Sequence, residues 1–211
     1  MKCRGLKGKQ KRRDVLHYLR NKTVSIICLQ DVHFDKNMES IVKAEWGGEA
    51  YFSSFSSNAR GVVILLSNNL DYKIHASLTD KEGNWVALDI SINNVRVTLV
   101  TIYGPNEDKP TFYDGIKRVV ENLDNPHCIL CGDWNLVQDQ TLDTFNYFHV
   151  NNPKARKTVL EIKNHFNLID PWRHQNQHVR RYTWRQPTPL KQSWIFSDIR
   201  RTYNLPFEIR Y

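Results

Sequence analysis

Residues 85–103 read Trp-Val-Ala-Leu-Asp-Ile-Ser-Ile, then Asn-Asn, then Val-Arg-Val-Thr-Leu-Val-Thr-Ile-Tyr. Asparagine tolerates left-handed backbone, so Asn93-Asn94 suits the tight turn whose twist joins two antiparallel strands. Both arms are rich in β-branched and apolar residues, so residues 85–103 read as a hairpin of two strands. Residues 24–29, 61–66 and 128–131 are further apolar runs of strand length, and residues 51–53 and 72–76 are shorter ones. Residues 110–123 place Phe112, Ile116, Val119 and Leu123 at helical spacing, and residues 154–166 do the same with Val159, Ile162 and Phe166. Residues 14–20 and 39–45 predict shorter helices, and 168–172 and 182–184 short edge pieces. The pattern predicts an α/β or α+β chain, with two mixed sheets face to face and helices outside. A chain of 211 residues, 40% hydrophobic, suffices for one such domain.

The formal net charge is +8, which favours an anionic partner, nucleic acid first. The basic run Lys7-Gly8-Lys9-Gln10-Lys11-Arg12-Arg13 reads as a nuclear signal, a DNA patch, or a basic loop leading into a helix. Cys128-x-x-Cys131 has zinc-ligand spacing without a second pair. All four cysteines lie in or beside apolar runs, where cysteine acts as a small hydrophobe, and this fits a reduced intracellular protein, nuclear or cytoplasmic. No apolar run has transmembrane length and no signal peptide is apparent, so no membrane partner is expected; the sequence points to no protein partner.

Chemistry gathers at strand ends. Cys131-Gly132-Asp133-Trp134-Asn135 closes the run at 128–131, and Asp133 and Asn135 present a carboxylate and an amide suited to a hard cation or a phosphate oxygen. Tyr103-Gly104-Pro105-Asn106 closes the second hairpin strand, and Gln30-Asp31-Val32-His33 closes the run at 24–29. Ordinary readings stand beside these. Tyr103 is also a reasonable interface aromatic, and Asp31 and Asn106 are reasonable turn residues. Trp184 among Arg180, Arg181 and Arg185 reads either as a stacking surface for nucleic acid or as core with a solvated basic rim.

Leu29-Gln30-Asp31-Val32-His33, Ile102-Tyr103-Gly104-Pro105-Asn106, Gly132-Asp133-Trp134-Asn135 and Tyr182-Thr183-Trp184, in this order, resemble the endonuclease/exonuclease/phosphatase (deoxyribonuclease-I-like) family. Within it they are most similar to the endonuclease domain of LINE-type non-LTR retrotransposons. The likeness covers about residues 3–192. It implies a four-layer α/β sandwich of two mixed sheets with outer helices, and a phosphoesterase site where strand ends converge. It also implies Mg2+ (or Mn2+) as cofactor and DNA as partner. Position by position, it makes Asp31 the metal-binding acid, Asp133 the residue polarising water and Asn135 a phosphate or metal contact. Tyr103 and Asn106 become a phosphate-orienting pair, and Arg180, Thr183 and Trp184 a nucleic-acid-binding loop.

Departures from the family pattern matter as much. Lys2 falls where the first strand carries a metal-holding Asn, and an ammonium cannot ligate a metal. Leu190-Lys191-Gln192-Ser193 lacks the Asp of that segment, and Ser197-Asp198-Ile199 lacks the His of the terminal Asp-His pair. His174 and His178 match no family position. Residues 1–192 are therefore expected to form the domain and 193–211 an irregular, divergent tail, with the last strands incomplete and the reading frame truncated at both ends. The expected function is a retrotransposon-derived endonuclease-like domain, ancestrally nicking DNA phosphodiesters with magnesium and impaired here. A non-catalytic basic DNA-binding remnant and a phosphatase for a small phosphoester are the alternatives.

Overall fold

The computed structural model describes residues 1–22, 24–145 and 150–180, and the backbone of two short strands at 192–193 and 199–200. Strands β1 (Ile26–Gln30), β2 (Ala50–Ser53) and β3 (Val62–Leu66) form one sheet in the order β1-β3-β2. Lys2 adds a parallel bridge to Gln30 on the free side of β1, so this sheet is mixed. The second sheet contains β4 (Tyr72–Thr79), β5 (Trp85–Ile92), β6 (Val95–Tyr103) and β7 (Cys128–Asp133), ordered β7-β6-β5-β4. Its β6–β7 pair is parallel and the others antiparallel. The predicted hairpin is present, with Ile92 opposite Val95 and left-handed backbone at both Asn93 and Asn94.

Alternation along the strands sorts the core into three apolar layers, each sandwiched between elements. On β3, Val62, Ile64 and Leu66 face the second sheet, where Val86, Leu88, Ile90, Val97, Leu99, Ile129 and Cys131 meet them. Val63 and Leu65 face the other way, onto helices α1 (Lys9–Arg20) and α2 (Lys36–Trp46) through Leu16, Leu19, Val42 and Trp46. The far face of the second sheet, with Ala87, Val100, Ile102 and Leu130, is covered by α3 (Pro110–Leu123) and α5 (Pro153–His165). The result is a helix–sheet–sheet–helix sandwich, as the apolar runs required.

Some local expectations shift for identifiable reasons. The buried stripe of α3 is Tyr113, Ile116 and Val120, with Phe112, Val119 and Leu123 at its margin. Helix α1 starts at Lys9, in a stretch too polar to show a period, because Arg12 turns inward to a carboxylate. So the basic run at 7–13 is mostly helix, with Lys11 Nζ held by the carbonyls of Cys3 and Arg4. The edge piece expected at 168–172 gives way at its end to helix α6 (Pro171–Gln175), because the Asp170 carboxylate caps Arg173 N at 2.9 Å. Between α3 and α6 lie the one-turn α4 (Gln140–Asp143) and the two-residue β8 (Thr144–Phe145). β9 (Gln192–Ser193) pairs with β8, and β10 (Ile199–Arg200) pairs antiparallel with Ile129–Leu130 of β7, so part of the edge expected to stay open carries backbone pairing.

Cys128 and Cys131 sit on opposite faces of β7, in different apolar layers, and none of the four cysteines is in a disulfide. Their zinc-like spacing therefore cannot converge on one ion, and burial pushes the Cys3 thiol up to about 11. Among the described residues no helix is long and apolar enough to cross a membrane.

Candidate active site

The same alternation that builds the middle layer places the site. Continuing past Leu99 and Thr101 on β6, and past Ile129 and Cys131 on β7, the next inward positions are Tyr103 and Asp133, paired in register at the carboxyl ends. On β1, Ile26 and Cys28 face the same layer, so Gln30 does too, and Lys2 lies beside it across the bridge. The polar ends of three strands thus cap the apolar layer between the sheets. Beneath them, the fully buried Gln30 donates Nε2 to Thr101 Oγ1 at 2.8 Å, tying the two sheets together under the site.

Lys2 is the centre of the cluster. Its Nζ stands 2.8 Å from Asp133 Oδ2 and 5.0 Å from the centroid of the Tyr103 ring. Burial alone would lower the Lys2 ammonium, but the Asp133 carboxylate, with Tyr103 and Asp31 nearby, outweighs it and holds it above the ordinary lysine value. Burial pushes the Tyr103 phenol up; Lys2 opposes this, while the Asp31 and Asp133 charges reinforce it. Asp31, Tyr103 and Asp133 thus all lie within electrostatic reach of one lysine.

Each partner is held by its loop. Asp31 adopts φ 59° and His33 φ 58°, a left-handed backbone that non-glycine residues rarely take, immediately after β1. His33 Nε2 lies 2.9 Å from Asp31 Oδ1, and Gly5 N donates to the Asp31 carbonyl at 2.7 Å. Asp133 Oδ1 accepts the amide of Asn135 at 3.1 Å. Asn135 itself turns its Nδ2 to the Gly104 carbonyl at 2.5 Å, so its amide laces the β7 loop to the β6 loop. Asn152, at the amino end of α5, donates Nδ2 to the carbonyls of Asn135, at 3.1 Å, and Asn106, at 3.3 Å. Asn106 is on this laced loop with its side chain exposed, and Arg180 is exposed beyond α6. Thr183 and Trp184 lie outside the described residues.

The β7 loop is also pinned from below. Tyr113 OH donates to the Trp134 carbonyl at 2.5 Å, and the two rings stack with centroids 6.0 Å apart. Tyr113→Phe leaves that buried carbonyl unpaired and is expected to cost about 1–3 kcal/mol in urea unfolding. A loss under about 0.5 kcal/mol would remove this bond as a support of the loop.

The divalent cation that the resemblance implies can be tested against these side chains. Among the described residues no group of three or more His, Cys, Asp or Glu side chains is arranged to hold a metal. Asp31 is engaged by His33, and Asp133 by Lys2. A divalent ion 4 Å from an ammonium meets repulsion of about 8 kcal/mol at an effective dielectric near 20. The described residues do not fit a divalent ion while Lys2 stands there.

Several of these features were not legible as site residues in the sequence. His33 shows only as a histidine two positions after Asp31. Lys2 shows as a mismatch rather than as the hub. Asn152 shows only as an asparagine before Pro153, at a helix start.

Residues 2–191 match the model of the endonuclease/exonuclease/phosphatase family. A Xenopus laevis protein described as the transposon TX1 uncharacterized 149 kDa protein is 27% identical over 177 residues, which is 81% of this chain and 13% of that protein. The chain thus spans a small part of that relative. Among solved structures, an AP endonuclease, LMAP, from Leishmania major superposes with a TM-score of 0.74 at 15% identity, over 94% of this chain and 76% of that one. The endonuclease domain of TRAS1, a telomere-specific non-LTR retrotransposon, does so with a TM-score of 0.54 at 20% identity, over 77% and 70%. These structural likenesses establish the shared fold.

Proposed function

We propose that this chain, which belongs to the endonuclease/exonuclease/phosphatase family, is a retrotransposon-derived endonuclease-like domain that still engages DNA and has lost most of its lineage's nicking activity. The family is generally dependent on a divalent metal, and the lineage's reaction is magnesium- or manganese-dependent hydrolysis of a DNA phosphodiester. The observation that supports the loss is the Lys2–Asp133 ion pair at 2.8 Å. A water-activating carboxylate must accept a proton or a hydrogen bond from water, and here one oxygen of Asp133 is held by an ammonium and the other by the Asn135 amide.

What the residues retain is anion binding. Lys2 supplies a positive charge at the mouth of the middle layer, and the Tyr103 hydroxyl, kept protonated by burial, supplies a donor. The +8 net charge and exposed Arg180 extend that field to a polyanion, with affinity spread over many phosphate contacts. Four cysteines outside any disulfide fit an intracellular, reducing setting.

The test is a supercoiled-plasmid assay in magnesium alongside duplex binding by fluorescence anisotropy. Relaxation should stay within about twofold of a protein-free control, with no change in Asp133→Ala. Binding should weaken steeply and linearly with salt on logarithmic axes. Rapid nicking that Asp133→Ala abolishes, or binding insensitive to salt, would sink the reading.

A further inference from the structure

We infer that the Lys2 ammonium is the resident cation of this site: it occupies the place among Asp133, Asp31 and the Tyr103 ring where a divalent ion would sit, meets a phosphate oxygen without metal, and, once replaced by Asn, leaves a site that binds manganese. The inference rests on the reading of the site as a former phosphodiesterase centre. It goes beyond a missing ligand, because it assigns the substituting residue a role.

Geometry carries it. The backbone of residues 1–3 is locked beside β1, with Cys3 N donating to the Gln30 carbonyl at 2.8 Å and Gln30 N to the Met1 carbonyl at 3.0 Å. Lys2 is therefore a fixed strand position, facing the same layer as Gln30, Tyr103 and Asp133. Its ammonium is 2.8 Å from a carboxylate oxygen and 5.0 Å from the centre of an aromatic ring, two independent kinds of cation recognition on one group. The side chain keeps 27% of its surface, so it is open to an incoming anion. An ammonium has three donors; Asp133 and the Tyr103 hydroxyl engage two, leaving one for a phosphate oxygen. Asparagine at this position is neutral and shorter and offers a carbonyl oxygen, the donor type that hard divalent ions accept. It would also release Asp133 to act as a ligand.

The test uses the full chain and reads metal and DNA separately. Free Mn2+ is followed by electron paramagnetic resonance during titration of the wild type, Lys2→Asn, Lys2→Arg, and Lys2→Asn combined with Asp133→Asn. The wild type and Lys2→Arg should show no saturable manganese binding below about 1 mM. Lys2→Asn should bind at least about tenfold more tightly, and the added Asp133→Asn should abolish that gain. Binding of a duplex by the wild type should change by less than about twofold between EDTA and manganese. Saturable manganese binding by the wild type, or a tenfold loss of its DNA affinity in EDTA, overturns the inference, and both readings stand even where Lys2→Asn does not fold. The manganese pattern as expected, with no DNA binding by any variant, supports the resident cation and removes the DNA reading instead.

Discussion

Gly132→Ala is expected to cost at least about 4 kcal/mol of folding free energy, enough to unfold a domain of ordinary stability. Gly132 has φ +132°, in a region L-residues rarely occupy. A Cβ there would lie 2.0 Å from the Ile102 carbonyl oxygen and 2.8 Å from its nitrogen. Both are backbone atoms of the neighbouring strand, so no rotamer change relieves the clash. The parallel pairing of Ile102 with Gly132, and of Tyr103 with Asp133, must open or shift. Thus the substitution acts at the step that sets Asp133 beside Tyr103 and Lys2. Gly115, inside α3 with nothing within 4 Å of its would-be Cβ, supplies the control. Gly115→Ala should stabilise by about 0.5–1 kcal/mol. Urea unfolding of the two variants checks the contrast, and a Gly132→Ala protein within about 1 kcal/mol of wild type would refute it.

That glycine also shows where sequence reading succeeds and stops. Its place before Asp133, at the end of an apolar run, marked a strand end that turns. The clash with Ile102 needed β7 to lie parallel beside β6, and pairing partners are not written in either strand. The apolar runs at 24–29 and 61–66 announced buried strands and residues 85–103 a hairpin, and strict alternation then divides their residues between layers without further information. Tyr103 and Asp133 follow as the inward polar ends. Lys2 does not follow, because a single residue beside β1 has no period of its own and its partner is 131 positions away. Nor does the Asp31–His33 contact, which depends on two left-handed residues that Asp and His seldom adopt. The first turn of α1 hid for the opposite reason: Arg12 is buried, and a lone inward arginine looks like solvated surface until its carboxylate is seen.

Arg12→Ala is accordingly expected to cost about 2–4 kcal/mol, below the full range for a buried pair because Glu45 is only partly buried and keeps Arg13 at 3.8 Å. Arg12 is 4% exposed. Its Nε and Nη2 hold the two oxygens of Glu45 at 2.6 and 3.0 Å, and Nη1 donates to the carbonyls of Leu6 and Lys7. Replacing an ion pair by apolar groups is often harmless, but not here, since the Leu6 carbonyl would remain buried without this donor. The loss also reaches the site. Leu6 and Gly5 run along residues 31–32, Leu6 N donating to the Val32 carbonyl and Gly5 N to that of Asp31, so Arg12 clamps the segment that carries Lys2. The pair has a pH signature as well. The Arg12 hydrogen bond, outweighing burial, holds the Glu45 carboxyl below its ordinary value of 4.5. A carboxyl lowered by folding stabilises fully above its unfolded value and loses that contribution as pH falls through the folded one. The gap between wild type and Arg12→Ala should therefore be widest at neutral pH and narrow below about pH 4.5. Urea unfolding from pH 7 to pH 3 measures it. Parallel curves, or a neutral-pH gap under about 1 kcal/mol, would show that Glu45 and the Leu6 carbonyl are satisfied without Arg12 and that the Lys2 segment is held by its strand contacts alone.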